Sequence, residues 1–250
     1  MGKKYKEIFF GLLFITLFWQ GLSMVLQKSI LPSPLEVVPL FFRLMNGELT
    51  LHFLASCARV SASIILSVLF AVPLGLILGQ SRKLNKLVNP VIAVLYPIPK
   101  IVFLPIVYVL MGISDFSKIF LISLILFFQI LVVVRDEAMN LPEDLLLSAR
   151  SLGAGRLALY FFIYGPASIP GILTSIRISI STAIAVLFLA EQSLTEYGLG
   201  YFIIVKSYQI LRYKEMYAGI LAISMLGAFF YLLIGLLEGK LSKHRNKDKK

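Results

Sequence analysis

Apolar and polar positions alternate on a long scale along this chain. Six apolar stretches stand out, Ile8–Leu26, Val60–Leu78, Val91–Met111, Phe116–Val134, Ile172–Ala190 and Met216–Leu237. They run 19, 19, 21, 19, 19 and 22 residues. About 20 apolar residues carry a helix across ~30 Å of hydrocarbon, and a spanning backbone must satisfy its hydrogen bonds within its own segment. The pattern therefore predicts an all-α membrane protein of six transmembrane helices, one domain over residues 1–250. Lys118 lies near the start of the fourth stretch, from where its stem can snorkel to the interface. The first stretch reads as a span and not as a cleaved signal peptide, because it exceeds a usual h-region and no Ala-x-Ala site follows it.

Between the stretches lie three informative connections. Residues 27–59 hold Leu31-Pro-Ser-Pro34 and an amphipathic run from Leu35 to Leu44, with Ser33 as the expected cap and Pro34 and Glu36 in the first turn. Residues 191–215 hold Gly198-Leu-Gly200 and the apolar run 201–205, a short helix at the interface or in a cavity. Residues 135–171 predict two short helices with a glycine corner. Pro142, Glu143 and Asp144 open the first, and Leu145, Leu146, Ala149 and Leu152 form an apolar stripe. Gly153-Ala-Gly155 ends it, since glycine supplies the positive φ of a helix terminus. A second run, 156–164, precedes Gly165-Pro166. A projection with an apolar stripe and a fixed corner suits docking better than a merely structural hairpin.

Composition sharpens this picture. Of 250 residues 58% are hydrophobic and only 15% charged, against ~25% charged in soluble domains. Cys57 is the sole cysteine, which excludes an intramolecular disulfide. The net charge of +11 belongs to membrane topology and calls for no nucleic-acid partner. With the N-terminus inside, 15 Lys and Arg fall on inner segments and seven on outer ones. Both termini are therefore expected in the cytoplasm, with the Lys-rich tail beside anionic lipid.

The third stretch carries Pro97, Pro99 and Pro105, which remove helix donors and should break it. Lys100 lies near its middle, where a charge costs about 2.5–3.5 kcal/mol on insertion scales. It is expected either to line a translocation path or to pair with a carboxylate, Glu191 being the candidate. Arg177 is expected to snorkel inward. Ser61, Ser63 and Ser67 recur near one helix face, as small residues at helix contacts do. No P-loop, no HExxH and no GxSxG occurs. His52 and His244 both lie outside the stretches, so no metal ligand set, catalytic constellation or cofactor is expected.

The 135–171 connection resembles the EAA loop of ABC importer permeases, Glu-Ala-Ala, three residues, Gly, nine residues, Ile, one residue, Leu-Pro. Gly153, Ile163 and Pro166 fall at that spacing. Leu147, Ser148 and Ala149 replace Glu-Ala-Ala, and Gly165 replaces the leucine. Leu31–Glu36, Pro73-Leu-Gly75 with Gly79, Pro97-Ile-Pro-Lys100 with Leu104-Pro105, Gly112–Lys118, and Glu191 with Gly198–Tyr201 are similar to the nitrate/sulfonate/taurine permease group. The resemblance implies the type I importer permease fold in the cell inner membrane. It further implies a second permease subunit, most simply a homodimer, two cytoplasmic ATPase subunits and an external binding protein. The coupling segment is Ser148, Ala149, Arg150, Ser151, Leu152, Gly153 and Ala154, with Ile163 and Pro166. Pro97, Pro99, Lys100 and Glu191 are the expected path residues. The substrate is expected to be an oxyanion or sulfonate. A neutral vitamin precursor, or a six-helix capture or scaffold subunit without ATPase coupling, is the alternative.

Overall fold

The structure is a computed structural model that describes residues 2–192 and 195–242. Lys243, Arg245, Lys247, Lys249 and Lys250 of the basic tail, and His244, lie outside the described residues. Every regular element among the described residues is helical. They are α1 (Gly2–Leu26), α2 (Pro34–Met45), α3 (Glu48–Gln80), α4 (Arg82–Leu95), α5 (Leu104–Met111), α6 (Asp115–Met139), α7 (Glu143–Ser151), α8 (Arg156–Leu159), α9 (Gly165–Glu191), α10 (Leu199–Ile204) and α11 (Tyr213–Ser242). Among the described residues five runs are long and apolar enough to cross a membrane, and a bent pair taken as one span makes a sixth.

The bent pair is the proline-rich stretch. It is not one helix over 91–111: α4 starts at Arg82 and stops at Leu95, and a 3-10 turn, Lys100–Phe103, leads into α5. The two halves meet at 76°. Pro97 and Pro99 offer no N–H to carry the ladder across, so the helix ends there. The connection ahead of α9 differs from expectation in the other direction. Helix was expected to stop before Gly165-Pro166, but α8, a π-helical turn over Tyr160–Tyr164 and α9 form one run, Arg156–Glu191. The wide turn, closed by the Gly165 N–H on the Tyr160 carbonyl, leads the chain past Pro166, whose ring forbids an ordinary i−4 bond.

The chain forms two compact units. The first holds residues up to Ser56 with Glu191–Leu226, and the second holds Cys57–Ala190 with residues from Gly227 on. In the first unit Phe202 and Ile203 of α10 are buried, and Gly219 of α11 lies so close that a Cβ there would come within 2.7 Å of Ile203. The run 201–205 is thus packed into protein.

The second unit is built on a seam between α3 and α6. Ser63, Ser67, Ala71, Gly75 and Gly79 recur every fourth residue and so share one helix face. Ser67 Oγ lies 2.6 Å from the Ser63 carbonyl and 3.1 Å from that of Ser123. A Cβ on Gly75 would stand 2.9 Å from Val134, and one on Gly79 would collide with Ala138. Apolar side chains gain little by leaving lipid for one another, so close backbone approach and dispersion hold such a pair. At the N-terminal end of the seam buried Arg59 donates to Asp115 at 2.6 and 2.9 Å. Lys118 does not snorkel: it is buried, with Asp115 at 4.0 Å. Arg177 reaches toward the C-terminal end of α11, where it pairs with Glu238 at 3.0 Å and lies over the Tyr231 ring.

Candidate functional site

The α6–α9 connection is the first of three places that hold the expected residues. Pro142 precedes α7, and Glu143 and Asp144 sit at its positive dipole end. At the other end the Gly153 N–H bonds the Arg150 carbonyl at 2.9 Å and the Ala154 N–H that of Ala149 at 3.1 Å. This crossed pair closes a Schellman motif, which requires a left-handed residue, and Gly153 has φ +83°. Ser148, Arg150, Ser151, Leu152 and Gly153 are exposed, and Ala149 and Ala154 half-buried. Leu152 is 89% exposed, a poor resting place for a leucine unless something covers it. Leu145 of α7 meets Ile163 and Pro166 around an open groove of about 440 Å³. The structure therefore joins the stripe to the downstream motif residues. The corner is braced by Gln80, whose Nε2 donates to the Arg156 carbonyl at 2.9 Å.

The second place is the break between α4 and α5. Pro97 and Pro99 are exposed, whereas Lys100 is 8% exposed. Its ammonium donates to the carbonyls of Leu95, Tyr96 and Ile98 at 2.9, 3.1 and 3.2 Å and sits 4.6 Å above the Phe128 ring. The three N–H donors meet the carbonyl of the last residue of α4 and those of two residues beyond it, at the negative dipole end of the helix. Lys100 thus acts as a side-chain brace for the break.

The third place is Glu191, the last residue of α9, fully buried. Ser56 Oγ lies 2.8 and 2.9 Å from its carboxylate oxygens, and the Gly200 N–H donates to it at 3.0 Å. The Leu199 N–H donates to Ser56 Oγ at 2.8 Å, and the Gly198 N–H to His52 Nδ1 at 3.1 Å. Three consecutive amides are thus held by three side chains, at Gly198 through a φ of +142° that favours glycine. Sequence reasoning named Glu191 and the glycines but missed His52 and Ser56. Their spacing of four places them on one face of α3, but nothing local couples that face to a loop more than 130 residues on.

Residues 71–243 match the family model described as "Binding-protein-dependent transport system inner membrane component". The chain is 27% identical over 235 residues to the taurine transport system permease protein TauC of Escherichia coli K12, covering 91% of this chain and 85% of that one. It is 26% identical over 254 residues to the formylaminopyrimidine transport permease protein ThiX of Halalkalibacterium halodurans, covering 99% and 100%. Its fold is similar to a chain of the inward-facing MetNI methionine ABC transporter, with TM-score 0.67, 18% identity, and coverage of 77% of this chain and 95% of that one.

Proposed function

The chain belongs to the family of binding-protein-dependent transport system inner membrane components, and from that membership we propose that it carries a small sulfonate or oxyanion inward. It is a multi-pass membrane permease of an ABC importer, whose partners are an ATPase and a substrate-binding protein. Two copies of the chain pair with two ATPase subunits, and both termini are cytoplasmic, as the charge count supports. The observation that carries the reading is the Gly153 corner, which holds Leu152 out in the open at the head of a continuous helical run.

The corner seats on the ATPase through Leu145, Ala149 and Leu152. When the ATPases close on ATP they displace α7 and α8, and that displacement enters α9 directly, because Arg156–Glu191 is continuous. ATP shifts the permease only by contacting one state better than the other. Pro97, Pro99, Lys100 and Glu191 are the residues proposed for the path: the prolines open the backbone, Lys100 braces the break, and Glu191 positions the 198–200 loop. Because Lys100 gives its donors to carbonyls, selection among anions rests chiefly with the binding protein.

One observation favours a second substrate class. The match to ThiX spans nearly both whole chains, which supports a neutral pyrimidine precursor. Reconstitution with the cognate ATPase and binding protein into vesicles tests both. ATP-dependent uptake of labelled taurine, competed by other alkanesulfonates or by nitrate, is the expected result. Uptake competed only by formylaminopyrimidine selects the second substrate class, and a chain that binds no ATPase refutes the coupling proposal.

A further inference from the structure

Helix α2 has two faces. Pro34, Val37 and Phe41 are buried, while Leu35, Val38 and Phe42, each one position on, form an exposed apolar stripe beside that face, Leu35 being 74% exposed. Charge borders its far edge: Glu36 takes a hydrogen bond from Lys214 at 2.6 Å, and Arg43 is exposed. What covers such a stripe depends on how deep it lies, and two hydrogen bonds set that depth. Trp19 Nε1 donates to the Pro32 carbonyl at 3.0 Å, and Ser23 Oγ to the Leu31 carbonyl at 2.9 Å.

Both donors belong to α1, whose span runs Phe9–Leu26. Trp19 lies seven residues before the end of that helix, roughly 10 Å along its axis at ~1.5 Å per residue. The chain leaves α1, turns, and comes back down its flank before α2 begins. Trp19 also stacks on Tyr217 of α11 at 5.5 Å between ring centroids. Pro32, two residues before α2, is at the level of Trp19.

We propose that α2 is an interfacial helix immersed in the leaflet at the C-terminal end of α1, with Leu35 and Val38 among acyl chains and Phe42 nearer the headgroups. The lipid surface of α1 continues onto α2 without a step, since none of the α1 span is buried and the connecting segment is bonded to its flank. The stripe is narrow, bounded on one edge by the buried face and on the other by Glu36 and Arg43, a width that fits the acyl–headgroup boundary. The immersion anchors the first unit against vertical displacement. Only the identity of the leaflet, the outer one, rests on the orientation proposed above.

The test uses the full chain in a Cys57→Ala background, with nitroxides on Leu35→Cys and, separately, Val38→Cys, in phosphatidylethanolamine–phosphatidylglycerol vesicles. Collision rates with oxygen and with an aqueous nickel chelate report depth, independently of transport and of ATPase docking. Expected at both positions is oxygen accessibility well above chelate accessibility, unchanged when binding protein is added. Three results overturn the proposal. Chelate accessibility above oxygen places the stripe in water. Loss of both accessibilities places it against a second copy of the chain. Protection that appears only with binding protein makes it a docking surface for that protein.

Discussion

Gly153 and Gly155 stand two residues apart at the coupling corner, and a Cβ on either would meet nothing within 4 Å. They differ in backbone. Gly153 has φ +83°, whereas Gly155 has φ −73°, which any residue adopts. Replacing Gly153 by alanine therefore costs only the left-handed backbone, about 1–2 kcal/mol. The Schellman corner is populated less by up to about five- to thirtyfold, and affinity for a partner that recognises the formed corner falls by that factor. Gly153→Val should do worse, because β-branching narrows the backbone further. Gly155→Ala should leave binding within twofold or so, since no strain or clash arises there. The assay is titration of the purified permease with its ATPase, alongside uptake in vesicles. The spans and seam lie away from the corner, so membrane insertion and thermal stability should persist in all three variants. Equal ATPase affinity for Gly153→Ala and Gly155→Ala would refute the reasoning, and so would normal uptake by Gly153→Val.

Three further outcomes follow from the structure. Gly79→Ala drives a methyl group into Ala138 across the α3–α6 seam and should cost about 1–3 kcal/mol of stability, read as a lower melting temperature in detergent; an unchanged melting temperature would show the seam to be looser than the structure has it. Lys100→Met strips the donors from the carbonyls of Leu95, Tyr96 and Ile98 and should destabilise the protein by about 1–3 kcal/mol. Normal stability with lost uptake would instead make the ammonium an anion site. The hydrogen bond from Lys214, with help from the Ser33 backbone N–H, lowers the pKa of Glu36 from its ordinary 4.5. A depressed carboxylate pKa means that its contribution is present at neutral pH and is lost as the pH falls through the folded value, below 4.5. Protection of the α2 amides, taken relative to their intrinsic exchange rate at each pH, should therefore fall only in that acid window, and Glu36→Gln should keep one protection level throughout it.

The sequence by itself determined whatever depends on neighbours along the chain. Apolar length located the spans, because hydrocarbon thickness is a property of the solvent. Pro97 and Pro99 announced the break, and Gly153 announced the corner, because a missing N–H and a positive φ are local facts. Span ends were less legible: α3 begins at Glu48 and not near Val60, since Arg59 finds Asp115 and need not leave the helix. Tertiary structure alone decided what the charged groups do. The carbonyls that hold Lys100 exist as acceptors only once α4 has ended and the chain has bent back over the ammonium. No local pattern names the partners of Lys118 and Arg177; folding alone brings Asp115 to 4.0 Å from the buried Lys118 and Glu238 to 3.0 Å from Arg177, and a paired charge away from water costs less than a bare one. His52, Ser56 and Glu191 come from helix ends far apart in sequence, and only folding lays them along three successive amides. That arrangement has no period to read, since backbone amides carry no residue signature.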